Sequence, residues 1–134
     1  MTLPRSAALV IGVVYLALGV LGFLLAPDPT ALNGHQPSNT VWIFSVGLLQ
    51  NALHITIGLL GLVAARKSGQ ARLFGLGAFF VFTAVTAYGI VAAIAGFEGD
   101  AALNANWPDN ILHALTAVAG LAIAQPTSRA PQNG

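Results

Sequence analysis

Four apolar stretches govern what this chain can fold into: residues 7–26, 46–65, 73–95 and 107–124. Each is about as long as a helix needs to cross a hydrocarbon core of roughly 30 Å. The five basic and four acidic residues all fall outside these stretches or at their ends. A bilayer interior offers no water to backbone groups, so such runs must be helical; a membrane barrel would show alternating polarity instead. At 134 residues the chain is one domain in length. Only 7% of its residues are charged and 56% are hydrophobic, too little charge to coat a soluble domain. The expected fold is all-α, a membrane four-helix bundle.

The first stretch resembles a secretory signal in having Arg5 before it and the small Ala26 at its end. Its apolar run exceeds the roughly 7–15 residues of a signal core, and Leu24 is a poor residue ahead of a cleavage site. Retention as a span is the expectation.

Charge placement sets the expected orientation. Arg5, Arg66, Lys67, Arg72 and Arg129 lie in the N-terminal tail, the second connection and the C-terminal tail. Asp28, Glu98, Asp100 and Asp109 lie around the first and third connections. Basic residues stay on the cytoplasmic side, so both termini are expected inside a cell membrane crossed several times.

Two of the spans repeat each other. Asn51-Ala52-Leu53-His54 returns as Asn110-Ile111-Leu112-His113 fifty-nine residues later, Gly61-Leu62 as Gly120-Leu121, and Ala65 as Ala124. Spans one and three echo more faintly, with Tyr15 and Tyr88 deep in each and Gly22-Phe23 matched to Gly96-Phe97. Spans one and three run outward and two and four inward, so the halves form two parallel helix-pair repeats about an axis along the membrane normal.

Helix rise puts His54 and His113 roughly 18 Å above the inner boundary, counted from Arg66 and Gln125. Asn51 and Asn110 lie three residues earlier on the same face, one turn further out. Polar groups at this depth turn from lipid toward the bundle interior. Asn51, His54, Asn110, His113 and Asp109 therefore constitute an expected buried polar seam.

Local signals fix the connections. Ala8, Gly12, Tyr15, Gly19 and Gly22 share one face of span one, where small residues admit close helix approach and leave room for self-association. Pro27-Asp28-Pro29 stops that helix. Residues 30–40 form an outer loop holding His35, and Val41-Trp42-Ile43-Phe44 is either the first turn of span two or an interfacial segment. Ser68-Gly69 is expected in the inner turn. Phe74, Phe79, Phe80 and Phe82 read as bulk facing lipid or packing, not as a cofactor box. Asn106 is the expected N-cap of span four, followed by Pro108 and Asp109 in its first turn. Residues 126–134, rich in Pro, Ser, Gln and Asn, are expected to be disordered.

Chemistry is sparse. The chain has no cysteine, hence no thiolate site. Its net charge of +1, without a basic run, gives no footprint for nucleic acid. No Ser-His-Asp set, P-loop or dinucleotide glycine pattern is present; Gly75-Leu76-Gly77 lies inside a span. No carboxylate sits mid-span, which weighs against proton-coupled transport.

The seam admits four readings. Hydrogen bonding across helices would make it structural. A metal site could use His54 and His113, with Asp109 and more remotely His35. Bis-histidine haem b would need the room left by Gly58, Gly61 and Gly120, but no cation on the outer side would meet its propionates. A polar path or pocket would serve a proton, quinone or small solute. No cofactor is expected. The leading expectation is a non-enzymatic accessory or scaffold protein, with the lipid bilayer, a second copy or another membrane protein as partner.

Phe44-x-Val46 leading into Asn51-x-x-His54-x-x-x-Gly58, the basic loop, and Asp109-Asn110-x-Leu112-His113 opening span four carry a family likeness. The chain resembles a domain-of-unknown-function family of four-helix integral membrane proteins common in actinobacteria. The resemblance covers nearly the whole chain and implies fold and location, with no activity to carry over. Ala117, where the repeat would place a match to Gly58, departs from the internal symmetry.

Overall fold

A computed structural model describes residues 1–32, 36–95 and 103–126. The proposed positions of His35, Glu98, Asp100, Gly96-Phe97, Arg129 and most of the tail lie outside the described residues. Four helices dominate: α1 (Leu3–Leu25), α2 (Leu48–Ala64), α3 (Ser68–Ala95) and α4 (Trp107–Ala124). Between α1 and α2 stand two short strands, β1 (Thr40–Val41) and β2 (Phe44–Ser45), paired antiparallel with Thr40 opposite Ser45 and Val41 opposite Phe44. Helices α1 and α3 are long and apolar enough to cross a membrane, with mean hydropathy 2.7 and 2.1; α2 is apolar but shorter.

Proline sets the first boundaries. Pro4 is accommodated in the first turn of α1, where its missing N–H is not needed. Ala26, forced extended ahead of Pro27, ends the helix at ψ 144°. Val41-Trp42-Ile43-Phe44 is not a first turn of α2 but part of a hairpin. Its tip is Trp42-Ile43, with Trp42 in the left-handed region at φ 56°, which places both tip side chains outside the sheet and exposed.

At the other end the turn between α2 and α3 is tighter than Ser68-Gly69 implied. Those two residues already belong to α3. Arg66 and Lys67 close on the carbonyls of Val63 and Ala64, and Ala71 N–H returns to Lys67. Arg5 donates to the Ala65 carbonyl at 2.8 Å and Thr2 bonds Ser68 at 2.8 Å, so the start of α1 sits on this turn.

The helices pack in two pairs, α1 along α2 and α3 along α4, with lesser contact between the pairs. Glycine makes the approach possible in both. A Cβ on Gly61 would stand 2.8 Å from Gly12 Cα, and one on Gly120 would stand 2.6 Å from the Gly75 carbonyl oxygen. The buried stripe of α1 runs Ala8, Gly12, Tyr15, Gly19, Gly22. Gly58, whose place in the other half is taken by Ala117, lies against the Leu16 backbone.

Where the pairs meet, Tyr15, Ile57, Ala78, Phe82 and Ala117 form an apolar cluster. Of the span-three phenylalanines only Phe82 is wholly buried; Phe80 is exposed, and Phe74 and Phe79 pack at the cluster's rim. Tyr88 is 41% exposed and is not the counterpart of Tyr15. Phe82 is.

Candidate functional site

Directly beside this cluster, His54 of α2 and His113 of α4 face each other, Nε2 to Nε2, at 3.4 Å. Each ring has an aromatic neighbour from the adjoining helix. Tyr15 meets His54 edge-on at 5.1 Å, and Phe82 stacks on His113 at 5.1 Å. All four side chains are buried to within 1%. Nε2 pairing leaves both Nδ1 atoms buried without a protein partner.

One turn toward the hairpin, the next pair across the interface is Gln50 and Asp109, not the asparagines. The Gln50 amide reaches the Asp109 carboxylate. Both hold the backbone of Ser45 between them: Gln50 Nε2 donates to its carbonyl at 3.1 Å, and its N–H donates to Asp109 Oδ2 at 3.1 Å. The second strand of the hairpin is thereby clamped over the helices. Sequence reasoning passed over Gln50. The signal was available, since Gln50 stands to Asp109 as Asn51 stands to Asn110 in the repeat.

Asp109 also does the work expected of a first-turn acid. Its Oδ2 accepts from Asn106 N–H at 3.0 Å while Asn106 Oδ1 accepts from Asp109 N–H at 3.1 Å, a reciprocal capping box. Asn106 Nδ2 reaches on to the Ile43 carbonyl at 2.8 Å. Two further asparagines, Asn39 and Asn104, both donate to the Val46 carbonyl, at 2.8 and 3.1 Å. Short polar side chains thus replace regular structure in holding this end together.

Asn51 and Asn110 are buried, as their positions required, yet they point away from the histidine pair. Asn51 packs into the notch left by Gly22 of α1, and Asn110 into that left by Gly89 of α3. The seam is therefore a ladder of two rungs, Gln50·Asp109 and His54·His113, with an asparagine buttress on either side. Gly89 stands where Gly22 does, and α1 and α3 share an offset of sixty-seven positions (Gly22 to Gly89, Tyr15 to Phe82).

The pair bears on the ligand readings. A porphyrin between the two imidazoles finds no slot, because the ring nitrogens are 3.4 Å apart and Tyr15 and Phe82 pack against them. For a metal the spacing alone is suitable: bonds of about 2.0–2.1 Å in tetrahedral geometry separate two nitrogens by about 3.4 Å. The surroundings are not. Among the described residues no three of His, Asp and Glu converge, and neither Nδ1 has the acceptor that normally orients a ligating histidine. A dication here would meet no coordinating carboxylate to offset its charge.

No curated protein and no solved structure matches the chain. The model of one family does, over residues 5–125: a domain of unknown function, DUF4383. With nearly all of its helical part covered, the chain belongs to that family.

Proposed function

We propose that this is a four-span integral membrane protein, both termini cytoplasmic, acting as a non-enzymatic accessory or scaffold subunit. The observation that carries the reading is an inverted distribution of polarity. The largest fully buried side chains besides Tyr15 and Phe82 are His54, His113, Gln50, Asn39, Asn51, Asp109 and Ser45. Meanwhile Val10, Leu60, Leu73, Phe80, Val91 and Val118 lie exposed on the four helices. In water this pattern would leave apolar surface exposed and polar groups buried; in lipid the outward residues are simply solvated and the inward ones are kept away from the acyl chains.

A second support comes from the most apolar parts of α1 and α3, in which only 33% and 17% of residues are buried. A core helix of a soluble protein would be buried around most of its circumference. Charge adds direction: Arg5 and the Arg66-Lys67 turn share one end, and Asp28 and Asp109 the other. The exposed Trp42 and Trp107 at the acidic end suit a lipid–water interface.

The test is purification in mild detergent after an alkaline wash of membranes, followed by metal analysis and visible spectroscopy. The reading expects retention in the washed membrane, and neither a stoichiometric metal nor a chromophore. Release by the wash, or a bound metal or chromophore lost in His54→Ala, contradicts it.

A further inference from the structure

The two rungs of the ladder hold polar atoms that the fold does not satisfy. Gln50 Oε1, Asp109 Oδ1, and the Nδ1 atoms of His54 and His113 are all buried and unpartnered, in side chains at most 1% exposed. Beside them Asn51 Oδ1 and both polar atoms of the Asn110 amide are in the same condition. Native proteins leave few such atoms, and a contiguous set of them is normally completed by ordered water. Gln50 and His54 are four residues apart on α2, Asp109 and His113 four apart on α4, so these atoms succeed one another along one line.

That line has an apolar end and a polar end. Toward the basic end, Tyr15, Ile57, Ala78, Phe82 and Ala117 close it with an apolar plug. Toward the acidic end it is covered by the backbone of Ser45, itself buried and clamped by Gln50 and Asp109, in the polar hairpin end of the molecule. We propose that the ladder is a hydrated, blind path from the hairpin end to the histidine pair, and that the pair binds a single proton delivered along it.

The stoichiometry follows from the facing nitrogens. In the neutral pair one Nε2–H donates to the other Nε2, and one Nδ1–H and one Nδ1 lone pair remain for water. A proton arriving from water on that lone pair gives a neutral imidazole facing an imidazolium, still joined by one N–H···N bond. A second proton would set two N–H groups against each other, so uptake stops at one. The titratable groups around the pair are Tyr15 from α1 and Asp109 from α4; α3 contributes only Phe82.

Only the side from which the path opens rests on the membrane reading. The experiment is solid-state NMR of protein labelled with 15N-histidine, reconstituted in liposomes, with orientation read from labelling of a Thr30→Cys variant. Lowering the pH from about 8 to about 4 on the Thr30 side is expected to convert one imidazole per pair to imidazolium, with a cross-coupled Nε2 signal. The same change on the Arg66 side alone is expected to leave the pair neutral. His113→Gln should abolish the coupled signal, and a folded His54→Gln should do the same if His113→Gln fails to fold. Histidines that stay neutral and exchange-protected throughout, or that take up two protons, overturn the proposal. So does a pair that answers to the Arg66 side. A protein that does not insert, with Thr30→Cys labelled on no defined side, contradicts the membrane reading instead.

Discussion

Tyr15 and Phe82 meet ring to ring at the centre of the molecule, 4.8 Å between centroids, at corresponding places in its two halves. Only one of them carries a hydroxyl. That hydroxyl bonds Thr116 Oγ1 at 2.8 Å, and Thr116 stands where the other half has Ile57. The polar pair Tyr15·Thr116 and the apolar pair Phe82·Ile57 are alternative solutions at one position of a repeated structure. The repeat has diverged in both members together, as expected where a lone buried hydroxyl would be costly.

This gives a coupling prediction. Tyr15→Phe and Thr116→Val should each destabilise the protein by about 0.5–1.5 kcal/mol, Tyr15→Phe near the lower bound because Thr116 retains its bond to the Leu112 carbonyl. The double variant should cost less than the sum, by about 0.6 kcal/mol. Thermal unfolding in detergent of the four proteins measures it; strict additivity would mean the bond contributes nothing.

Glycines separate by what lies opposite. A Cβ on Gly12 would stand 2.7 Å from the Leu62 backbone nitrogen, which cannot move aside, whereas Gly77 has nothing within 4 Å. Gly12→Ala should destabilise by about 1–3 kcal/mol. Gly77→Ala should be neutral or stabilising, by up to about 1 kcal/mol of helix propensity. Unfolding midpoints in the opposite order would contradict the packing described for α1 and α2.

The asparagine notches predict a rescue. Gly22→Ala forces its methyl group into the Asn51 amide, and Gly89→Ala does the same to Asn110. Each should be tolerated better in the background of Asn51→Ala or Asn110→Ala, respectively, than in the parent. Equal costs in both backgrounds would show that the amides do not fill these notches.

Asp109 is the strut of the hairpin. Asp109→Ala removes the acceptor for both Ser45 and Asn106 N–H groups, at about 1–3 kcal/mol for each donor left buried. Hydrogen exchange should rise first in residues 39–46 and at the start of α4. Asn106→Ala, which breaks the capping box and the link to Ile43, should cost about 1 kcal/mol. Unchanged exchange at 39–46 in Asp109→Ala would sever the proposed link between cap and hairpin.

How much of this was legible beforehand depended on the kind of signal. The four helices follow from uninterrupted apolar runs and from proline and asparagine punctuation at Pro27 and Asn106. The meeting of His54 with His113 follows from their equal places in a repeat. The role of Gln50 was hidden because its repeat partner is Asp109, a different residue type, and a search for identities passes over such a pair. The partner of Tyr15 is obscured for the same reason: chemical identity points to Tyr88, whereas position points to Phe82. The hairpin was out of reach because two-residue strands carry no periodicity, and its stability comes from distant side chains, Asn39, Asn104, Asn106 and Asp109.

The account depends most on the helices lying across a bilayer with the Arg66-Lys67 turn inside. The chain has no cysteine of its own, so single substitutions at Thr30, which is exposed, and at Gly69, where an added Cβ meets nothing, report each end directly. In intact cells a membrane-impermeant maleimide should label Thr30→Cys at once and Gly69→Cys only after permeabilisation. Labelling of Gly69→Cys in intact cells would contradict the orientation, and labelling of neither residue on a defined side would contradict the span itself.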